Sequence, residues 1–187
     1  MTRTTDVRPT AAALYLLPVQ TRVPLKFGPE TLTTVTCARV RLRVEDAHGR
    51  GAEGWGETPL SVQWVWPSRL SYQARERALR DFSVKLAQAW ATFGASGHPL
   101  EVGHAFQAEA LPELLRRFND QSALGEPMPW LAALVCCSAY DIALHDAYGL
   151  VHGLPTYKTY GCEWVSRDLA SFLEPAKGAA TSFRDRY

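Results

Sequence analysis

Between Leu32 and Glu45 the chain alternates with a period of two. Thr36, Ala38, Val40, Leu42 and Val44 fall on one face, and Cys37, Arg39, Arg41 and Arg43 fall on the other. Successive side chains of an extended strand point to opposite sides of a sheet. The pattern therefore describes a half-buried antiparallel strand, with one face on a core and one in solvent. Asp46–Arg50 (DAHGR) reads as a hairpin turn in which Gly49 is free to take a positive φ. Gly51–Glu57 returns as a third strand, rich in glycine but carrying Trp55. Leu14–Arg22, closed by Pro24, is the strand before them. The opening is thus a three-stranded antiparallel meander over about residues 12–58.

The remainder changes period. From Ser71 to Phe93 apolar residues fall at Leu79, Phe82, Leu86, Trp90 and Phe93, one helical stripe that Gly94 ends. Gly94–Pro99 (GASGHP) is a loop, and Leu100–Phe118 is a second helix with Pro112 near a break or first turn. Gly125–Pro129 (GEPMP) is another loop. Trp130–Leu150 is a third helix, apolar almost all round through Leu144 with Asp141 its only charge there, so it is expected between other elements. Gly153–Pro155 stops it. After about Gly161 the pattern weakens, with a short helix expected over Ser166–Leu173. Strands followed by helices, without βαβ alternation, make an α+β fold. A bundle of about three to four helices, over about residues 70–152, supplies the layer that a three-stranded sheet needs.

Composition narrows the function classes. The 187 residues, 47% of them hydrophobic, suit one domain, or one domain plus part of another. They are too few for a complete (β/α)₈ barrel, which takes about 250 residues, with a further domain. Lys and Arg total 20 against 19 Asp and Glu, so no strong field draws the chain to nucleic acid or an anionic membrane. No apolar run reaches the roughly 18 residues of a spanning helix. Ala11–Val19 follows Arg3 and Arg8 as the core of a signal peptide would, but Asp6 interrupts the basic region and no small-residue cleavage site follows, so a strand is expected. The four cysteines form no CxxC and read as free thiols of a reducing cytoplasm, the expected location.

Chemistry is sparse. No HExxH, GxSxG, Walker loop or GxGxxG occurs. His48, His98, His104, His145 and His152 are scattered; His145 and His152 share a helix face but lack a third ligand, and structural roles are expected. The Arg39, Arg41 and Arg43 stripe could meet an acidic ligand, but alternation alone demands polar residues on a solvated face. Asp141 must be paired or hydrogen-bonded in its apolar helix. Trp64, Trp66 and Tyr72 either floor a pocket or pack a sheet-to-helix corner. No catalytic residue and no metal ligand is assigned from these patterns.

Two segments carry a resemblance. Gly49–Leu60 (GRGAEGWGETPL) is similar to a G-x-G-(W)-G-E-x-x-P hairpin return, and Ser138–Pro155 (SAYDIALHDAYGLVHGLP) to an A-x-E-x-A-L-x-D-x-x-G-x-x-x-G-x-P helix. Together, in this order, they resemble the mandelate racemase/muconate lactonizing enzyme group of the enolase superfamily, over about Leu14 to Gly161. Asp141 stands where the family usually has Glu, and Asp146 matches an Asp whose implied role is structural. The resemblance implies an N-terminal capping domain, residues 1–160, that sits over a modified (β/α)₇β barrel. That barrel carries a Lys or His base and three acidic Mg²⁺ ligands, and abstracts a proton α to a carboxylate.

Two cap loops close over the barrel mouth in the family. The first matches Arg22–Phe27 and the second Thr58–Trp64. The substrate-binding set implied here is Arg22, Lys26, Phe27, Thr58, Leu60, Gln63 and Trp64. Arg22 and Lys26 would pair with a carboxylate or phosphate, while Phe27, Leu60 and Trp64 would exclude water. Loops at one end of a sheet are where binding residues tend to lie. Residues 161–187 read as a stub leading toward a barrel that this chain lacks. The chain alone is therefore expected to be inactive and to hold no cofactor, with Mg²⁺ implied only for a full-length relative. Such a relative would be a Mg²⁺-dependent dehydratase, racemase or epimerase, or cycloisomerase, acting on a small carboxylate such as an acid sugar. The alternatives are a free-standing binding or interaction module, or half of a split enzyme whose barrel is a separate chain that pairs with it; a cap without its barrel is expected to self-associate through the exposed apolar face.

Overall fold

The computed structural model describes residues 3–28 and 30–187, and the side chain of Phe27 lies outside the described residues. Three strands form one antiparallel sheet in the order β1 (Val7–Phe27), β2 (Glu30–Asp46) and β3 (Gly51–Pro59). From Ala38 to Val44 the alternation read in β2 is the observed one: Ala38, Val40, Leu42 and Val44 are fully buried, while Arg39 and Arg43 are exposed; Cys37, read onto the outer face, is buried. The β2–β3 turn also forms as read. Gly49 has φ +76°, and the Asp46 carboxylate accepts the His48 and Arg50 amides, each at 2.9 Å.

β1 extends well beyond Leu14–Arg22 at both ends and passes through Pro9, Pro18 and Pro24. It lies at the sheet edge, where one set of amides faces solvent and proline costs no ladder bond. Two irregularities absorb the rest, between Pro9 and Ala11 and between Gln20 and Leu25.

The helices are α1 (Val62–Val65), α2 (Tyr72–Thr92), α3 (Pro99–Ala105), α4 (Leu111–Gln121) and α5 (Trp130–His152). Ser71 caps α2 by accepting the Ala74 amide. A π-helical turn, Phe106–Ala110, joins α3 to α4 just before Pro112, so the second helix is continuous but widened where proline supplies no amide. Gly153, at φ +65°, ends α5 in the left-handed conformation.

α2 and α5 cover the inner face of the sheet, α2 against β1 and α5 against β2 and β3. The glycines of β3 explain how closely α5 approaches. A Cβ on Gly54 or Gly56 would strike the α5 backbone at Ala139, Ala143 and Ala147. These alanines recur every four residues and form one small, fully buried stripe on the helix. Trp55, between the two glycines, points the other way and stacks on Tyr15 at 5.8 Å across the outer face. In the core, Trp90 stacks on Phe106 at 4.0 Å, and the Tyr140 hydroxyl donates to Ser83 O at 2.6 Å.

α5 is not enclosed on all sides. Ile142 is 46% and Leu150 57% exposed, because only the small-residue side of the helix reaches the sheet. Helical order expected over 166–173 reduces to a single 3₁₀ turn, Leu169–Ser171. The chain after α5 folds back onto the body: the Arg3 guanidinium donates to Cys162 O, the Ser166 amide donates to Glu101, and Val165 is buried.

Candidate functional site

Arg22–Phe27 is not a free loop. It is the distal end of a two-stranded ribbon in which Leu25, Lys26 and Phe27 pair with Leu32, Thr31 and Glu30. The strands can stay paired because Gly28, at φ +56°, reverses the chain at the tip. Between Gln20↔Thr34 and Leu25↔Leu32, four β1 residues face a single β2 residue, so Arg22, Val23 and Pro24 bulge out. The Thr21 hydroxyl closes the base of the bulge by donating to Thr33 O at 3.1 Å. Arg22 and Lys26 are exposed and enter no ion pair among the described residues. The Phe27 side chain, expected to exclude water, lies outside the described residues.

The second segment leaves the sheet where the Leu60 amide donates to Thr36 O at 2.8 Å. Leu60 is fully buried in the core and is corrected from a loop-surface residue to a packing residue. A leucine between two helical turns and a sheet has no route to solvent. The Thr58 hydroxyl lies 2.7 Å from Ser138 Oγ, which itself donates to Val135 O. Thr58 is therefore the donor of that pair, and its hydrogen is committed to α5. Gln63 is half-buried, and Trp64, at 54%, is the exposed aromatic of the segment. The Trp64–Trp66–Tyr72 group divides. Trp66 is buried and its indole N–H donates to Glu126 at 2.7 Å, which is corner packing, while Trp64 faces outward.

Arg75 ties the two segments together. This fully buried α2 residue donates to Trp66 O at 2.6 Å and to the Glu30 carboxylate at 2.8 Å. Glu30 pairs with Phe27 at the ribbon tip, so one guanidinium fixes the tip against the chain that follows α1. The two segments carry exposed cations at the ribbon tip and an exposed indole after β3, joined by an ion pair whose guanidinium is buried and whose carboxylate is 35% exposed. The sequence reading missed Arg75. Its signal was present, because Arg75 lies four residues before Leu79 on the buried stripe of α2.

The other candidate groups are accounted for within the fold. Arg39 and Arg41 pair across the strands with Glu57 at 2.6 Å and Glu53 at 3.5 Å, so two cations of the basic stripe are neutralised on their own sheet. His145 and His152 do not converge. His145 Nδ1 lies 2.6 Å from the Tyr160 hydroxyl, and His152 Nε2 donates to Thr5 O at 3.0 Å. Burial pushes the Asp141 carboxyl up and the His145 imidazole down, each partly opposed by the other at 3.9 Å. Asp146 accepts the Trp55 amide at 2.8 Å and so clamps α5 to β3. Burial pushes the Cys136 and Cys137 thiols up to about 12, which leaves them unreactive. No group of three or more His, Cys, Asp or Glu side chains that could hold a metal ion converges among the described residues. No described helix is long and apolar enough to cross a membrane.

No protein-family model matches the sequence, and a search of curated proteins returns no match. Solved structures do match. An enolase from Bradyrhizobium, complexed with magnesium and mandelic acid, aligns with a TM-score of 0.50 and 13% identity, over 83% of this chain and 35% of its own. An L-talarate/galactarate dehydratase from Salmonella typhimurium LT2 aligns at 0.47 and 18% identity, over 84% and 35%. A dipeptide epimerase from Enterococcus faecalis V583, complexed with Mg and the dipeptide L-Leu-L-Tyr, aligns at 0.46 and 15%, over 82% and 34%. The chain spans about one third of the length of these proteins. At such identities the first comparison speaks to fold alone: the α+β arrangement of this chain occurs within an enolase, over 35% of that protein's length.

Proposed function

We propose that this chain is the capping and substrate-specificity part of a Mg²⁺-dependent enzyme that abstracts a proton α to a carboxylate. The observation that carries the reading is the fold match over 83% of this chain to 35% of an enolase, joined to the two motifs that resemble the same superfamily. When bound, the metal would stabilise the enediolate formed on a barrel, whether that barrel continues this chain or is a separate one. This chain's own residues bind and shield. Arg22 and Lys26 attract a small carboxylate to the ribbon tip, and Trp64 excludes water above it. Arg75 holds tip and loop in a fixed relation, so the two close as one body.

The test is Mg²⁺-dependent exchange of the α-proton of small carboxylic acids in D₂O, followed by NMR. It is run on the 187-residue chain and on the product of the frame read onward from the Tyr187 codon, or on the chain with an adjacent barrel protein. The expected result is no exchange by the chain alone, exchange once a barrel is present, and a raised KM for Lys26→Ala and Trp64→Ala. Exchange catalysed by the 187-residue chain alone overturns the reading. So does a barrel-containing form whose KM ignores both substitutions.

A further inference from the structure

Where the chain leaves α5 it is held by a buried histidine whose protonation state the hydrogen bonds dictate. His98 is fully buried at the start of α3, and its Nδ1 accepts the Leu100 amide at 3.2 Å, so that nitrogen carries a lone pair. Its Nε2 lies 3.2 Å from Thr159 Oγ1. Thr159 has one hydroxyl hydrogen and gives it to Thr156 O at 2.6 Å, so it must accept from His98. The ring is therefore the neutral Nε2–H tautomer, by necessity of its partners. A proton on Nδ1 would set one N–H against another and remove the cap of α3.

We propose that His98 is a proton-operated latch: while neutral it holds residues 156–165 against α3 and α5, and a proton on Nδ1, which the buried site facing the Leu100 amide cannot accommodate, opens that site and loosens them. The proposal stands apart from the capping reading, because it concerns only contacts within this chain.

The surroundings favour release over accommodation. From α5, His145 and His152 face the ring, with the His145 centroid 6.4 Å away, and each becomes a like charge in acid. Tyr148 and Tyr160 close two further sides at 4.9 and 5.4 Å. The acidic neighbours are engaged elsewhere. Glu101 of α3 accepts the backbone amides of His98 and Ser166, Asp141 of α5 faces His145, and Asp6 of the N-terminal segment accepts the Arg3 amide. The Arg3 guanidinium, the nearest fixed cation on that segment, goes to Cys162 O. Burial, with His145 second, holds the imidazole down at about 4. Three histidines touch the held segment, Thr159 on His98, Tyr160 on His145 and Trp164 with its ring 5.2 Å from His152, while the Arg3–Cys162 bond and buried Val165 hold its far end. Of the other two, the Tyr160 contact weakens in acid where the Tyr160 hydroxyl donates to His145 Nδ1, since protonation removes that lone pair.

Amide hydrogen exchange by mass spectrometry, corrected for intrinsic rates, reads the latch directly. Between pH 7 and about pH 4.5, protection of residues 156–165 is expected to fall about 10- to 100-fold while α2 remains the more protected element. His98→Asn keeps an acceptor for the Leu100 amide but cannot titrate, and is expected to remove most of that acid response. Thr159→Val is nearly isosteric and removes the bond by which His98 holds the segment, so it should loosen residues 156–165 already at pH 7. Loss of protection in 156–165 and α2 in a single cooperative step overturns the proposal. So does an undiminished acid response in His98→Asn, or a Thr159→Val chain that holds the segment at pH 7 as tightly as the unsubstituted one.

Discussion

Replacing Gly56 by alanine tests how the sheet meets α5. A Cβ on Gly56 lies 2.7 Å from the Ala143 amide nitrogen and 3.0 Å from Ile142 Cβ, and closer still to the Ala139 carbonyl oxygen. Two of these obstacles are helix backbone, which cannot rotate away as a side chain can. β3 and α5 must separate locally, and the Asp146–Trp55 bond beside the contact must stretch with them. Overpacking costs about 1–3 kcal/mol where side chains can adjust, and a rigid backbone puts Gly56→Ala at about 3 kcal/mol. Alanine returns about 0.4–1 kcal/mol by restricting the unfolded chain, which leaves a net loss of about 2–2.5 kcal/mol. For a chain of this size that lowers Tm by about 4–10 °C in a thermal scan followed by circular dichroism. Gly94→Ala is the control, because nothing lies within 4 Å of a Cβ there, and it should be neutral or stabilising by up to about 1 kcal/mol. The decisive arm is Gly56→Ala with Ala143→Gly. Because Gly56 meets the helix backbone rather than the Ala143 methyl, the second change should not rescue the first, and should add about 1 kcal/mol of lost helix propensity. Recovery in the double variant would refute the reasoning, as would a Gly56→Ala chain as stable as the Gly94→Ala control.

Removing the Asp146 carboxylate with Asp146→Ala should cost about 1 kcal/mol, since the bond is charge-assisted but solvent-accessible, and urea unfolding measures it. Arg75→Met should cost about 2–4 kcal/mol by leaving Trp66 O and Glu30 without their donor, and exchange at residues 25–32 should rise with it. Stability should also fall with acid through His98. Its folded value is lowered to about 4 against an unfolded value of about 6.5, so its contribution is fully present above about pH 6.5, is lost as pH falls toward about 4, and levels off below. The loss amounts to about 3 kcal/mol, readable as the pH dependence of urea midpoints, and it should shrink in His98→Asn.

The parts of this fold legible in the sequence are those governed by a strict period. β2 has a period of two because it has one wet face and one dry face, and α2 shows its stripe because one side of it is covered. The limits of β1 were not legible, since its prolines read as ends and only its place at the sheet edge makes them harmless. α5 failed for a different reason. Its residues are apolar on every side, so hydrophobicity carries no direction, and the side that meets the sheet is chosen by size: Ala139, Ala143 and Ala147 against Gly54 and Gly56. The same distinction runs through the candidate site. Arg22, Lys26 and Trp64 were reachable from the resemblance and are surface residues in the fold, whereas Leu60 belongs to the core by virtue of neighbours far away in sequence. Arg75 connects both halves of the site yet carries no motif, because its partners are a backbone carbonyl and a carboxylate 45 residues away. Motifs identify residues whose chemistry is repeated between proteins. The groups that hold such residues in place, here Arg75 beneath the ribbon tip and His98 beneath the exit from α5, are specified by packing: periodicity marks Arg75 as facing the core, but its partners, like those of His98, become visible only once the chain is folded.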